Sequence, residues 1–201
     1  MKFHDRNCVR DFYNCLKQMT LEFEKFKTFA TDFASISSKL GDEWILRTSK
    51  IGKLEEIYLE KRIIKPFNEE SEIINDSDKC DEPENFNPKY TVFVYHIIYS
   101  HSYSVPVLWF TAQHEDGKLL SLEELWKQIP SCFKNSEPDS KWNTLTQQEH
   151  PVLGIPYFMV HPCYTADLLS ACHSSNYIIS WLSIVGPVAG LTLSLNYAKY
   201  T

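Results

Sequence analysis

An α+β fold with a long N-terminal helix on one face of an antiparallel sheet is predicted by three hydrophobic patterns in this sequence. Apolar residues recur three or four positions apart from Phe12 to Leu40, which is the spacing of one helix face, and Gly41 supplies a stop signal. Runs of β-branched and aromatic residues follow. Ile178 and Trp181 then begin a second helical stripe. The first stripe also suits a coiled coil, but its mixture of Phe and Ala with Leu favours packing on a sheet.

The strands of the predicted sheet are apolar runs bounded by polar or turn-forming sequence. They cover Glu43 to Thr48, Leu54 to Ile64, Tyr90 to Tyr99 and Val105 to Ala112. The last two should be the most buried pair, because they are rich in β-branched and aromatic residues. Candidate core residues of the second strand are Ile57, Leu59, Ile63 and Ile64. The Tyr90 to Tyr99 strand and its neighbours are also candidates to present an edge for strand addition by the acceptor protein, unless the strand is fully paired.

Later elements are predicted from capping signals and from changes in hydrophobic period. Ser121 and Glu124 form a capping box, which predicts a short helix that ends at Pro130. The polar stretch from Asn135 to Pro151 is expected to be irregular, and the apolar run Tyr157 to Val160 follows it. The remaining elements are a helix from Thr165 to Cys172, a helix that ends at Gly186-Pro187, and an extended tail containing Leu191, Leu193 and Leu195.

Length and composition are those of one globular domain. The chain has 201 residues, of which 43% are hydrophobic, so a single domain spanning residues 1–201 can bury a substantial core. The net charge is -6, but residues 66–88 alone contain eight acidic residues and one lysine. We interpret this proline-containing segment as a flexible acidic insertion. The remainder is nearly neutral, without a basic stripe, so nucleic acid is not an expected partner.

The cysteines and one long apolar stretch bear on the cellular compartment of the protein and on whether it crosses a membrane. The six cysteines include no CxxC pair and the first residues are polar, so we expect reduced thiols and a cytoplasmic location. The 19 residues from Tyr177 to Leu195 are mostly apolar and long enough to cross a membrane. Gly186-Pro187 and the change of hydrophobic period favour a buried core segment, so no transmembrane segment is predicted.

Cys163 differs from the other five cysteines in its position, directly before a predicted helix start. Unpaired backbone N–H groups and the positive end of the helix dipole favour a thiolate there, although Asp167 in the first turn opposes this effect. Pro162 restricts the backbone beside the thiol, and His161 is a candidate base. Cys163 is therefore the candidate nucleophile.

Two other kinds of site remain open for these residues. A cysteine hydrolase needs a base and an orienting group, for which the candidates are His96, His101, His114, His150, His161 and His173. A zinc site has the candidate ligands Cys163, Cys172, His161 and His173, but their spacing is not that of paired zinc knuckles. The sequence contains no glycine-rich phosphate-binding loop.

Several segments between residues 90 and 200 carry a family resemblance. They are Gln147-Gln148-Glu149-His150-Pro151, Val160-His161-Pro162-Cys163 and Ile179 to Pro187, with the strand pair around Tyr103 to Leu108. In this order they resemble the autophagy-related protein 10 family of E2-like conjugating enzymes. The His-Pro-Cys tripeptide is shared with the related lipid-conjugating E2 of autophagy, but the ordered set is specific. The resemblance implies an E2-like fold with a helix, an antiparallel sheet, a catalytic-cysteine region and closing helices.

The resemblance also implies a two-step transfer of a ubiquitin-like protein. Cys163 is expected to accept the C-terminal glycine of autophagy-related protein 12 as a thioester from the E1-like autophagy-related protein 7. It is then expected to pass this modifier to a lysine of autophagy-related protein 5. No metal or small cofactor is implied. The alternative is a non-catalytic E2-like scaffold that only binds conjugation partners, and the retention of Cys163 after His-Pro argues against it.

One residue of the usual E2 site is missing. Ubiquitin E2 enzymes use the asparagine of a His-Pro-Asn motif to stabilise the oxyanion, whereas Val152 follows His150-Pro151 here. The usual assignment therefore cannot be carried over. Asn143, Thr146, Gln148 or backbone N–H groups at the helix start are the candidate donors in its place.

Overall fold

A computed structural model describes residues 21–51, 54–66, 90–128, 145–162 and 175–201, which contain one antiparallel sheet and several helices. The strands are β1 (Ile45–Ile51), β2 (Leu54–Pro66), β3 (Tyr90–Ser100), β4 (Val105–His114), β5 (Leu145–Glu149) and β6 (Pro156–Val160). The helices are α1 (Phe23–Leu40), α2 (Leu122–Gln128) and α3 (Tyr177–Val185), with 3-10 helices at Gly186–Ala189 and Leu195–Tyr200. The strand order is β1-β2-β3-β4-β6-β5, and all neighbours are antiparallel. The predicted α+β class is confirmed.

Helix α1 begins later than the hydrophobic stripe does, because the backbone of Leu21 bonds elsewhere. The N–H of Leu21 donates to the carbonyl of Ser104 at 2.7 Å, and its carbonyl accepts from the hydroxyl of Tyr99 at 2.6 Å. The uninterrupted helix predicted from residue 12 is therefore wrong at Leu21, and residues 12–20 lie outside the described part of the chain. Gly41 ends the helix as predicted, with a φ of 68° that favours glycine.

The main core lies between one face of the sheet and helices α1 and α3. One cluster of buried side chains joins these layers, and it includes Phe26, Ala30 and Phe33 from α1, Leu59, Tyr95, Phe110 and Phe158 from the sheet, and Ile178, Trp181 and Leu182 from α3. The buried residues of α1 belong to the predicted three-and-four spacing, so the stripe faces the sheet. Each large apolar side chain removed from water contributes about 1.5–3 kcal/mol.

Strands β3 and β4 form the centre of the sheet. Eight consecutive residues of β4 are buried, from Val105 to Ala112, and most of β3 is buried as well. The predicted most buried pair is confirmed. Strand β3 pairs with β2 along one edge and with β4 along the other, so the suggestion that it offers a free edge is wrong. Within the described sheet, the edge strands are β1 and β5.

The core assignment of β2 holds for three of its four predicted residues. Leu59 is fully buried, and Ile57 and Ile63 are partly buried against the main core. Ile64 is 62% exposed, so its assignment to the core is wrong. Side chains alternate across a strand, and therefore two consecutive isoleucines cannot both face the helices.

Strand β5 lies within residues 135–151, which were expected to be irregular, and that expectation is wrong over Leu145–Glu149. Leu145 is fully buried and anchors the strand in the main core, while the other four residues are partly or fully exposed. All five residues pair with β6. A polar edge strand carries little hydrophobic signal, which is why its sequence looks like a loop.

The C-terminal segment follows the prediction as far as the end of α3. Asn176 caps this helix, and α3 ends before Gly186 as expected. The predicted alternation holds at Leu191, which is buried, and at Leu193, which is partly buried, but it is wrong at Leu195, which is 91% exposed and begins a 3-10 helix. The hydroxyl of Ser194 accepts from the N–H of Asn196, which starts this helix, and Tyr197 is buried instead of Leu195.

Helix α2 has the predicted capping box. The N–H of Ser121 donates to Oε2 of Glu124 at 2.8 Å, and the N–H of Glu124 donates to the hydroxyl of Ser121 at 3.2 Å.

Pro66 is the last residue of β2, and residues 67–88 of the predicted acidic insertion lie outside the described residues. So does the helix predicted at residues 165–172. Among the described helices, none is both long and apolar enough to cross a membrane.

Candidate active site

The face of the sheet that points away from α1 and α3 carries a second apolar cluster. Its buried members are Tyr58, Ile98, Val105, Val107, Trp109, Tyr157 and Met159, with Val152 packed against them. A cavity of about 350 Å³ opens on this face, and we refer to it as the open-face cavity. Residues that line it include Glu56, His101, Tyr103, Trp109, Gln148, His161 and Pro162.

Strand β6 brings the chain to the wall of the open-face cavity. It pairs with β4 on one side and with β5 on the other, and its last four residues, 157–160, are buried. His161 and Pro162 follow directly and line the cavity, and Pro162 is buried. Cys163 and Asn143 lie outside the described residues. The structure therefore locates the two residues that precede the candidate nucleophile.

The turn between β3 and β4 holds Tyr103 beside His161. Ser104 adopts a φ of 52°, in the left-handed region, and its N–H donates to the carbonyl of Ser100 at 2.7 Å. The bond from Leu21 to the carbonyl of Ser104 anchors the other side of this turn. The rings of Tyr103 and His161 meet edge to face, with centroids 6.2 Å apart. Tyr103 and His161 thus form one rim of the cavity.

Glu56 supplies a carboxylate to the open-face cavity and is only 8% exposed. The N–H at Nε2 of His101 donates to Oε1 of Glu56 at 2.8 Å. Oε2 of Glu56 is buried and has no hydrogen-bond partner among the described residues. The ring of His101 lies with its centroid 5.0 Å from the rings of Phe23 and Tyr99. His101 therefore holds Glu56 through one oxygen, and the protein shields the other oxygen from solvent.

His150 is buried, and its hydrogen bonds determine its tautomer. Its Nδ1 accepts from the backbone N–H groups of Val152 at 3.2 Å and Leu153 at 3.0 Å. Nε2 therefore carries the proton and donates to Nδ1 of His96 at 2.8 Å. His96 in turn carries its proton on Nε2, which lies 3.5 Å from Oε2 of Glu60. Val152 stands where ubiquitin E2 enzymes have the asparagine of the His-Pro-Asn motif. Its backbone N–H is one of the two donors that hold His150.

Both buried histidines are neutral at physiological pH. Burial lowers the pKa of His96 to about 4, with Glu60 partly offsetting the effect. Burial also lowers the pKa of His150 to about 4, and the neighbouring His96 adds to the shift. The ring of Tyr157 stacks on His96 at 5.3 Å. The pair joins β3 to the β5–β6 turn, and three of its four ring nitrogens are occupied by hydrogen bonds that hold this turn, which argues against a proton-transfer role.

The six histidines considered for a hydrolase are scattered. His101 and His161 line the open-face cavity, His96 and His150 pair in the interior, His114 lies at the end of β4, and His173 is outside the described residues. No described cluster of three or more His, Cys, Asp or Glu side chains is arranged to hold a metal ion. Of the candidate zinc ligands, Cys163, Cys172 and His173 are not among the described residues.

Gln148 is the candidate oxyanion donor that the structure brings into the cavity. It lies opposite Tyr157 in the β5–β6 ladder and lines the same cavity as Pro162. Thr146 points to the same face, but its hydroxyl is buried and does not line the cavity. Glu56 was not singled out from the sequence. Its only signal is its place in β2 on the face opposite Leu59, which alone does not indicate a buried carboxylate.

Residues 8–196 match the model of a family described as autophagocytosis associated protein, active-site domain. The match covers nearly the whole chain. The protein therefore belongs to this family.

Curated relatives define the class further. The chain is 36% identical to the ubiquitin-like-conjugating enzyme ATG10 of Homo sapiens, over 88% of this chain and 91% of the relative. It is 39% identical to the ubiquitin-like-conjugating enzyme ATG10 of Arabidopsis thaliana, over 75% of this chain and 79% of the relative. The protein is an E2-like transferase with a conjugating role in autophagy, and this part of the sequence-based prediction is confirmed.

Proposed function

We propose that Cys163 forms a thioester with autophagy-related protein 12, received from the E1-like autophagy-related protein 7. The modifier is then transferred to a lysine of autophagy-related protein 5. The family membership supports the reaction class, and the sequence resemblance supports these partners. The protein acts as a single domain in the cytoplasm, without a metal or small cofactor.

The chemistry is acyl transfer in two steps. The Cys163 thiolate attacks the glycine carbonyl carbon of the E1 thioester, and the E1 cysteine leaves as a thiolate. The neutral lysine amine then attacks the same carbon, the bond to the Cys163 sulfur breaks, and the thiolate is regenerated. The nitrogen loses one proton as the isopeptide bond forms. A thioester carbonyl is reactive enough for an amine, so metal assistance is not required.

The observation that carries this proposal is the position of Pro162. It is buried, it lines the open-face cavity, and it follows a strand paired on both sides. We assign Pro162 a backbone-positioning role, because its ring restricts φ directly before the nucleophile. His161, held edge to face with Tyr103, is proposed to orient the reacting groups.

A donor to the oxyanion replaces the missing asparagine. Asn143 stays a prediction from the sequence, in an oxyanion or positioning role. Gln148 is the further candidate, since it lines the same cavity as Pro162. An amide N–H directed at the developing negative charge is worth about 10²–10³ in rate in comparable sites.

The test is formation of a reductant-sensitive adduct. Wild-type protein mixed with the E1-like enzyme, the ubiquitin-like modifier and ATP should form an adduct that dithiothreitol removes. Cys163→Ser should form an ester that resists dithiothreitol, and the matched variant Cys172→Ser should behave like wild type. If wild type forms no adduct while the E1 is loaded, the catalytic assignment is wrong and the scaffold alternative gains support.

A further inference from the structure

Strand β1 leaves one complete edge of the described sheet unpaired. It is the outermost strand on its side, and its seven residues pair one to one with β2. No backbone bond joins β1 to any described residue outside β2. Every second residue of an edge strand directs its N–H and C=O groups outward, so β1 offers a row of free donors and acceptors to another strand.

Strand β1 lacks most of the features that protect a sheet edge from pairing. It contains no proline, and its register against β2 has no bulge. Arg47 is held by its own sheet, since its guanidinium donates to Oε1 of Glu60 at 2.9 Å. Thr48 and Lys50 are exposed on the face that carries α1, so the helix leaves this part of the edge uncovered. Ile45, on the other face, is 48% exposed.

The sequence of β1 is self-complementary in one antiparallel register. When Thr48 lies opposite Thr48 of a second copy, all seven residues are paired. The other opposed residues are then Ile45 and Ile51, Leu46 and Lys50, and Arg47 and Ser49. No like charges face each other, the lysine stem covers a leucine, and the Thr–Thr pair is favourable. Centring the pairing on Arg47 would oppose two arginines, and any other centre leaves strand ends unpaired.

We propose that β1 pairs with β1 of a second copy of this chain and forms a two-fold symmetric dimer. The contact is isologous, because the same seven residues serve both copies. The two-fold axis passes through the Thr48 pair at right angles to the sheet, so the two six-stranded sheets become continuous. Both open-face cavities then lie on the same side of the joined sheet. This assembly goes beyond the proposed function and does not depend on it.

A contact made by one pair of strands predicts a weak dimer. Stable protein interfaces bury about 1,200–2,000 Å² in total, which is more than two paired strands and their neighbouring side chains supply. We therefore expect a dissociation constant on the order of 10–100 µM. Monomer and dimer should coexist at micromolar concentrations of the protein.

Sedimentation velocity of the full chain at increasing concentration tests the proposal. The weight-average mass of wild type should rise from 23.5 kDa towards twice that value. Thr48→Glu and Thr48→Lys each place like charges opposite each other on the two-fold axis, and each should weaken the dimer about 10-fold or more. An equimolar mixture of the two variants should dimerise again, because glutamate then faces lysine.

Gln147→Glu and Gln147→Lys are the matched controls. Gln147 is exposed in the middle of β5, the other edge strand, so the same charges are introduced away from β1. Both control variants should dimerise like wild type. Equal thermal midpoints for all four variants would verify that the substitutions leave the folded monomer intact.

Three results would overturn the pairing of β1 with itself. Wild type that stays monomeric at the highest concentration makes no such contact. A dimer that survives both Thr48 substitutions, or that the Gln147 substitutions weaken equally, uses another surface. Thr48 variants that are monomeric and do not associate when mixed show that β1 pairs in a different register or with a different protein. None of these results bears on adduct formation by Cys163, so the two proposals can fail separately.

Discussion

His96 and His150 are buried side by side, each 1% exposed, although both are polar. The fold keeps them neutral, since an imidazolium ion would lose its hydration without gaining an adequate counter-ion. Three of their four ring nitrogens have hydrogen-bond partners, and Nε2 of His96 faces Glu60 at 3.5 Å. These two residues therefore make the stability of the protein depend on pH.

The free energy of unfolding should decrease as pH falls from about 6.5 towards 4. Unfolded histidine titrates near 6.5, whereas the pKa values of His96 and His150 in the folded state are about 4. The unfolded chain thus binds more protons in this window, so stability is full above about 6.5 and is lost on acidification. Urea unfolding at several pH values should show a loss on the order of a few kcal/mol.

A pair of variants isolates the contribution of the buried histidines. His96→Gln should flatten the pH dependence between 6.5 and 4, because one titrating group is gone. His114→Gln removes a histidine outside the pair, at the end of β4, and should retain most of the slope. Equal slopes in His96→Gln and wild type would contradict this account.

Helix α3 depends on its N-cap. Oδ1 of Asn176 accepts from the N–H groups of Ile178 at 3.0 Å and Ile179 at 3.4 Å. Its Nδ2 donates to the carbonyl of Phe29 at 3.1 Å, which links α3 to α1. One side chain therefore starts the closing helix and fixes its position against the N-terminal helix.

Asn176→Ala should lower the free energy of unfolding by about 1–2 kcal/mol, since it removes the cap and the link to α1. Urea denaturation measures the loss. Asn196→Ala is the control, because Asn196 is exposed and its side chain caps nothing in the described structure. A loss in Asn176→Ala no larger than in the control would show that the cap is unimportant.

Elements with strong periodicity could be predicted from the sequence, and elements defined by long-range bonds could not. β3, β4 and α3 have continuous or helical apolar patterns, and they appear where expected. The start of α1 is decided by bonds from Leu21 to residues about 80 positions away, and β5 is decided by pairing with β6. Such bonds leave no mark on local sequence.

One face of the sheet packs against the helices, and the other carries the second apolar cluster and the open-face cavity. The sequence did not distinguish these two environments, which limited the prediction of the site. His161 and Pro162 were identified because they precede Cys163 in the sequence. Glu56, His101 and Tyr103 come from β2 and the β3–β4 turn, and only the strand order brings them to the same cavity. Alternation predicted which residues face away from the helices, but not that this face is itself largely buried.

The C-terminal segment closes the main core, so its loss should destabilise the whole molecule. Tyr197 is 1% exposed, stacks on Phe33 of α1 at 5.3 Å, and donates its hydroxyl to Asp42 at 2.8 Å. Tyr197→Ala should cost about 3–5 kcal/mol, the usual range for deleting a buried aromatic ring. Unfolding should remain one transition, because Tyr197 joins the layers that share this core.

Leu195→Ala, at a 91% exposed position, is the control for urea unfolding and should change stability by less than about 0.5 kcal/mol. Comparable losses in both variants would mean that the tail does not pack as described.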